Sequence, residues 1–161
     1  MIKLYSFGES GNAYKAALAL ELSGLDWEPV FVDFFKGAAR TEEYRNSVNA
    51  MGEVPVMVDG DVRLSQSGVI QGYVSEKSGK FGGDSPEEAR EVLRWVLWDN
   101  HKLSGQAGTT RFLANFLPEE KRPEEVIAFL KGRLAATYAN IAASAKGTDS
   151  ASGARPRWGV T

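Results

Sequence analysis

Three short stretches of this chain carry groups suited to gripping a small anion or a sulfur. The first is Glu9-Ser10-Gly11-Asn12, between an apolar strand and a helix. A hydroxyl at that junction lies near a positive helix end, where it can donate to a thiolate and raise the thiolate fraction of a bound thiol. The plain alternative is that Ser10 or Asn12 merely caps the helix. The second is Gly52-Glu53-Val54-Pro55-Val56, with a proline at the door of an apolar strand. A cis bond before Pro55 would turn the backbone of Val54 outward, where an extended peptide could pair with it as an added strand. A trans proline at a strand's first residue is the alternative. The third is Ser65-Gln66-Ser67, a helix-start signal ahead of an apolar-periodic run. Free N–H groups of a first helical turn bind carboxylate or phosphate, and capping without a ligand is the alternative. The last two stretches lie on one hairpin and its following helix, Gly52–Tyr73, so both can face the same small anionic ligand.

The elements that must hold these groups follow from pattern. Ile2–Phe7 reads as a strand, Gly8–Asn12 as a turn, and Asn12–Ser23 as a helix closed by Gly24. Trp27–Phe34 reads as a strand near an edge, because Pro29 cannot donate to a ladder. A short helix over Arg40–Asn46 precedes the hairpin, whose strands are Val54–Val58 and Val62–Leu64 around an Asp59-Gly60 turn. A helix then runs to about Gly79. The order βαβ then ββα predicts a mixed four-stranded sheet with helices on its faces.

Past a linker at Lys80–Asp84 the character changes. Ser85-Pro86-Glu87-Glu88 is a helix start, with acids favourable to the macrodipole. Val92, Leu93, Val96 and Leu97 mark a long helix that Gly105–Thr110 is expected to interrupt or end. Leu117–Pro123 reads as a loop. Ile127, Leu130, Leu134, Tyr138 and Ile141 follow helical spacing over Glu124–Ser144. From Lys146 to Thr161 neither period is present. The expected organisation is a sheet domain over 1–79, a linker at 80–84, a partial helical domain over 85–145, and an irregular tail over 146–161.

Composition excludes several classes. A net charge of −2 leaves no excess of cations for displacing counterions from nucleic acid. With no cysteine there is no disulfide framework and no thiolate metal site, and a thiol–disulfide oxidoreductase is not expected, since the chain has no cysteine to exchange. His101 is the single histidine, which gives no metal constellation. No apolar run reaches membrane-spanning length and no leader is visible, so a cytoplasmic protein is the expectation.

Taken together, these segments resemble the glutathione S-transferase family, in particular bacterial members with a serine-type active site. The residues that carry the resemblance are Leu4-Tyr5-Ser6, Ser10–Lys15, Gly52–Val56, Leu64–Ile70 and Trp95–Lys102, and it covers roughly residues 1–145. It implies an α/β thioredoxin-like N-terminal domain followed by an all-α domain, incomplete here. It implies that Val54 pairs through its main chain with the cysteinyl unit of glutathione, ahead of a cis Pro55, and that Gln66 and Ser67 hold the γ-glutamyl end. Ser10 would activate the thiol, with Asn12 as a neighbouring alternative and Tyr5 as another. Arg40 or Lys36 would meet the glycyl carboxylate. Gln66 stands where the family usually has an acid and where both Glu and Gln occur, and Glu53 where many relatives have a neutral or basic residue. An anion at Glu53 is expected to weaken glutathione binding. Trp95 and Trp98 would wall an electrophile site, or else form core or interface.

The function implied is a detoxifying transferase that adds the thiolate of glutathione, as co-substrate, to a small electrophile, with no metal. The expected partners are that electrophile and a second copy in a homodimer, with no nucleic acid and no membrane. Family members continue with further helices, one of which begins with a Ser/Thr-x-x-Asp capping box. Lys146-Gly147-Thr148-Asp149 looks like the approach to it, and Ser150–Thr161 departs from it. The alternative function is therefore a non-catalytic glutathione- or ligand-binding interaction protein with a truncated helical domain.

Overall fold

Ile2 and Leu4 alternate with the exposed Met1 and Lys3, and the strand they form, β1 (Ile2–Ser6), runs through the middle of a four-stranded sheet. The structure is a computed structural model that describes residues 1–151, with side chains as far as Ser144. The chain divides into two units, one over residues 1–89 and one from residue 90 onward.

In the first unit the sheet order is β2-β1-β3-β4, with β2 at Trp27–Phe31, β3 at Val56–Asp59 and β4 at Val62–Ser65. β1 runs parallel to β2, with Ile2 opposite Trp27, and antiparallel to β3, with Tyr5 opposite Val56. Pro29 lies in the edge strand β2, where its missing donor costs no central ladder bond. Asp59 pairs with Val62, so the two-residue hairpin loop is Gly60-Asp61 rather than Asp59-Gly60. Gly60 supplies the left-handed φ of 58° that this turn needs.

The helices α1 (Gly11–Ser23) and α3 (Ser67–Ser78) cover one face of the sheet. They close a core of Ile2, Leu4, Ala16, Ala19, Leu20, Met57, Ile70 and Val74. Burial of each large apolar side chain there contributes about 1.5–3 kcal/mol. The other face carries Val32, Ala39, Tyr44, Val48 and Val56, with Tyr5 and Phe34 against them. This second cluster belongs to a single turn of 3-10 helix (Ala38–Arg40) and to α2 (Glu42–Ser47), whose first turn is capped by Thr41 Oγ1 accepting from Tyr44 N at 3.2 Å.

Two expected strands are shorter than their apolar runs. β2 ends at Phe31, and Phe34 leaves the sheet to stack on Phe7 with ring centroids 4.5 Å apart. β3 begins at Val56, because the Val54-Pro55 bond is cis and takes Val54 out of the ladder.

In the second unit, α4 (Pro86–Trp98) continues through a π-helical stretch (Asp99–Ser104) into α5 (Gly105–Arg111) and a second π-helical stretch (Phe112–Phe116). Gly105–Thr110 thus does not interrupt the helix. A helical glycine costs only about 1 kcal/mol against alanine. The hydroxyls of Thr109 and Thr110 donate back one turn, to Gly105 O at 2.8 Å and Gln106 O at 2.7 Å. After a 3-10 turn at Glu119–Lys121, α6 spans Glu124–Ala151, so Lys146–Ala151, expected to be irregular, is helical. The rest of that stretch, 152–161, lies outside the described residues. Among the described residues no helix is long and apolar enough to cross a membrane.

A polar clip ties the hairpin to α3. Tyr73 donates its hydroxyl to Asp59 Oδ2 at 2.8 Å, and Lys77 Nζ reaches the same oxygen. These donors, Lys77 first and then Tyr73, hold the Asp59 carboxyl below its usual range. A depressed folded-state pKa stabilises above the unfolded value, near 3.9, and that contribution is lost as pH falls through the folded one. Chemical denaturation of the wild type below about pH 4 should therefore show a fall in midpoint that is shallower in Asp59→Asn.

Candidate active site

The site is built where three segments of the first unit meet. Ser10 is the N-cap of α1, its Oγ accepting from Ala13 N at 3.1 Å. That bond uses an acceptor lone pair and leaves the hydroxyl hydrogen available to donate. Asn12, inside the first turn of α1, accepts from Ser67 Oγ at 3.3 Å, a contact between residues 55 apart in sequence. Gln66 Nε2 donates to Glu53 Oε1 at 2.9 Å. Ser10 and Asn12 at the start of α1, Glu53 ahead of Pro55, and Gln66 and Ser67 at the start of α3 are thus joined at one end of the sheet.

The start of α3 does not behave as a capped helix. Gln66 occupies the N-cap with φ 69° and ψ 115°, and no side chain there bonds to the first turn. Its carbonyl accepts from Val69 N and Ile70 N, both at 3.0 Å. A left-handed φ at a long side chain costs on the order of 1–3 kcal/mol, and such strain clusters at functional sites. The conformation points the Gln66 amide at Glu53 instead of over its own helix. The first-turn N–H groups are then left with their positive dipole end uncovered by any cap. Capping by Ser65, Gln66 or Ser67 is not what this sequence does.

Glu53 is the most constrained of these residues. Its N–H donates to Asn49 Oδ1 at 3.1 Å, and its carbonyl accepts from the Tyr44 hydroxyl at 2.9 Å. Burial, and then the neighbouring Tyr5, push the Tyr44 hydroxyl up to about 12, so it remains a donor across the physiological range. Gly52, at φ 69°, packs so closely that a Cβ there would lie 2.7 Å from Ala39 O, with the Arg45 guanidinium also against it. These contacts aim the main chain of Val54, which lies outside every strand pairing and precedes the buried cis proline. Tyr44, Arg45 and Asn49 are absent from the sequence-based site. Only the turn of the loop after α2 brings Gly52 and Glu53 against them, and helical spacing alone does not report it.

The other candidates fall outside this junction's hydrogen bonds. Tyr5 packs edge-on against Tyr44 at 6.5 Å in the second core cluster. Arg40 is exposed at the end of the 3-10 turn. Lys36 is exposed and paired with Asp33 at 2.9 Å, which raises its pKa. In the second unit Trp95 and Trp98 meet edge to face at 5.3 Å, and His101 is exposed.

Tyr44→Phe should cost about 1 kcal/mol of stability through the lost bond to the Glu53 carbonyl. Gly52→Ala should cost about 1–3 kcal/mol, because alanine must take a left-handed φ against a carbonyl. Urea unfolding checks both.

Residues 1–76, which include the whole sheet, match the family model for the glutathione S-transferase N-terminal domain. A zeta-class glutathione S-transferase of Euphorbia esula is 28% identical over 140 residues, covering 87% of this chain and 62% of its own. The disulfide-bond oxidoreductase YfcG of Escherichia coli is 32% identical over 127 residues, covering 74% of this chain and 58% of its own. The chain thus spans less than two thirds of the length of these curated relatives. In fold, it is similar to the theta-class glutathione S-transferase of Xanthomonas axonopodis pv. citri, solved with glutathione bound. The TM-score is 0.81 at 24% identity, covering 89% of this chain and 69% of that one. Residues 1–76, with the whole sheet, are thus a glutathione S-transferase N-terminal domain, and the chain as a whole is similar to glutathione S-transferases.

Proposed function

We propose that the first unit binds glutathione and activates its thiol for transfer to a small electrophile. The observation that carries this reading is the joining of the α1 start, the Glu53–Pro55 segment and the α3 start by the Asn12–Ser67 and Glu53–Gln66 hydrogen bonds. The three offer different chemistry within one junction. The main chain of Val54 pairs with the cysteinyl unit as a short added strand. The uncapped start of α3, with Gln66 and Ser67, takes the γ-glutamyl carboxylate. Ser10 donates its free hydroxyl hydrogen to the sulfur and stabilises the thiolate, while Asn12 orients Ser67 from the same turn. Arg40 is the candidate for the glycyl carboxylate, since Lys36 is engaged by Asp33. In the transfer the thiol proton leaves to solvent and the C–S bond forms; a leaving group departs with its bonding pair or, in an addition, the π pair moves to the neighbouring atom, which takes up a proton from solvent. On the family pattern the protein works as a cytoplasmic homodimer in detoxification.

A second reading is favoured by the likeness to a disulfide-bond oxidoreductase. The chain has no cysteine, yet exchange needs none of its own, because the ligand brings the thiol. The bound thiolate would attack one sulfur of a substrate disulfide, the S–S bond would break, and the other sulfur would leave as a thiolate. A second glutathione thiolate would then release the mixed disulfide as oxidised glutathione. A third reading, binding without turnover, keeps the same ligand.

Ser10 variants test the activation. Ser10→Ala should lower the rate with a chromophoric electrophile about tenfold or more, with glutathione affinity changed little and a stability loss of about 1 kcal/mol from the cap. Ser10→Asp keeps a capping oxygen but sets an anion beside the sulfur, so it should be stable and slower still. Equal rates for wild type and Ser10→Ala would remove Ser10 from the chemistry. Turnover of a model disulfide without conjugation would select the second reading, and glutathione binding without either activity the third.

A further inference from the structure

Glu53 is expected from sequence to repel an anionic ligand. Its surroundings argue for the opposite role. One carboxylate oxygen, Oε1, has a single partner, the neutral amide of Gln66, and that side chain is exposed. The other, Oε2, is buried and has no hydrogen-bond partner among the described residues. A buried carboxylate oxygen without a donor is costly, and the cost is relieved by a donor, most of all by a cation. The residue's backbone is fixed at both polar groups by Asn49 and Tyr44, so the side chain is held at the site instead of turning to solvent. Adjacent to it, through Gln66, is the uncapped start of α3 with Ser67. An anion receptor and a held carboxylate therefore stand one hydrogen bond apart. That pair matches a head group carrying a carboxylate and an ammonium on the same carbon.

Resting on the glutathione reading, we infer that Glu53 is a specificity-determining residue that accepts the free ammonium of the γ-glutamyl head, with Gln66 as its orienting partner. The ammonium supplies the donor that Oε2 lacks, as a charge-assisted bond, while the Gln66 amide stays on Oε1 and orients the carboxylate. Gln66 at the helix start is neutral, and the one negative charge of the pair sits at Glu53, one hydrogen bond away, where it is available to the ammonium.

The test compares glutathione with glutaryl-cysteinyl-glycine, in which hydrogen replaces the ammonium, by calorimetric titration of the full chain. Folding of each variant is monitored by circular dichroism. The wild type should bind glutathione about tenfold or more tightly than the analogue. Glu53→Gln should lose that preference while binding the analogue as the wild type does. The double variant Glu53→Gln/Gln66→Glu should regain it. A wild type that binds both ligands equally, a Glu53→Gln variant that keeps the preference, or one that loses both ligands in proportion, would each overturn the assignment and leave glutathione binding intact. Folded wild type that binds neither ligand would overturn the glutathione reading and this inference with it.

Discussion

The main chain of Glu53 is held at both of its polar groups by Tyr44, in the first turn of α2, and Asn49, just past its end, and the rest of the site hangs from that clamp. Asn49 takes the N–H and the Tyr44 hydroxyl takes the carbonyl. Neither group is spent on the sheet, because β3 starts only at Val56. The segment from Gly52 to Pro55 is therefore an ordered loop whose backbone hydrogen bonds are satisfied from below, leaving Val54 beside the sheet without being part of it. Gly52 makes this possible by allowing the chain within contact of the Ala39 carbonyl. Loops that carry function are commonly positioned in this way by a rigid scaffold. Here the scaffold is the second core cluster, in which Tyr44 is both an apolar filler and the donor.

The start of α3 is the complementary constraint. A helix beginning Ser-Gln-Ser has three side chains able to cap it, and local preference favours that outcome. The fold overrides it by setting Gln66 at a positive φ, which sends its amide to Glu53 and the Ser67 hydroxyl to Asn12. Both bonds leave the helix instead of folding back on it. The strain is tolerated because Ser67 and Ile70 are anchored in the interior. The consequence is electrostatic: the positive end of α3 is not neutralised by its own side chains.

Much of this was legible in the sequence. The four strands, the helix closed by Gly24 and the cap at Ser10 follow from local pattern, and the resemblance of five short segments to one family pointed to the domain that the family model matches. What was not legible depended on side-chain contacts that no periodicity reports. The clamp by Tyr44 and Asn49 spans only nine and four residues, but it rests on how the loop after α2 turns back to bring Glu53 against them. The rejection of capping at Gln66 rests on partners 13 and 55 residues away. The Gly105–Thr110 misreading is different in kind. Glycine is a breaker only where nothing compensates, and here threonine hydroxyls and π-helical turns on both sides do.

The reading of Glu53 shows how a residue's sign of effect depends on its hydrogen-bond partners. As an isolated letter it is an anion near an anionic ligand. Within the fold it is bonded to a neutral amide, so the pair carries one negative charge, as an acid at position 66 with an amide at 53 would. The field at the site depends on where that charge sits within the pair, a matter of a few ångströms, and hardly on which residue bears it. A carboxylate on the loop rather than on the helix also leaves the α3 dipole less neutralised, because an acid in the first turn would itself satisfy part of it. The positive helix end and the carboxylate are thus two separate groups, on the helix and on the loop, one hydrogen bond apart.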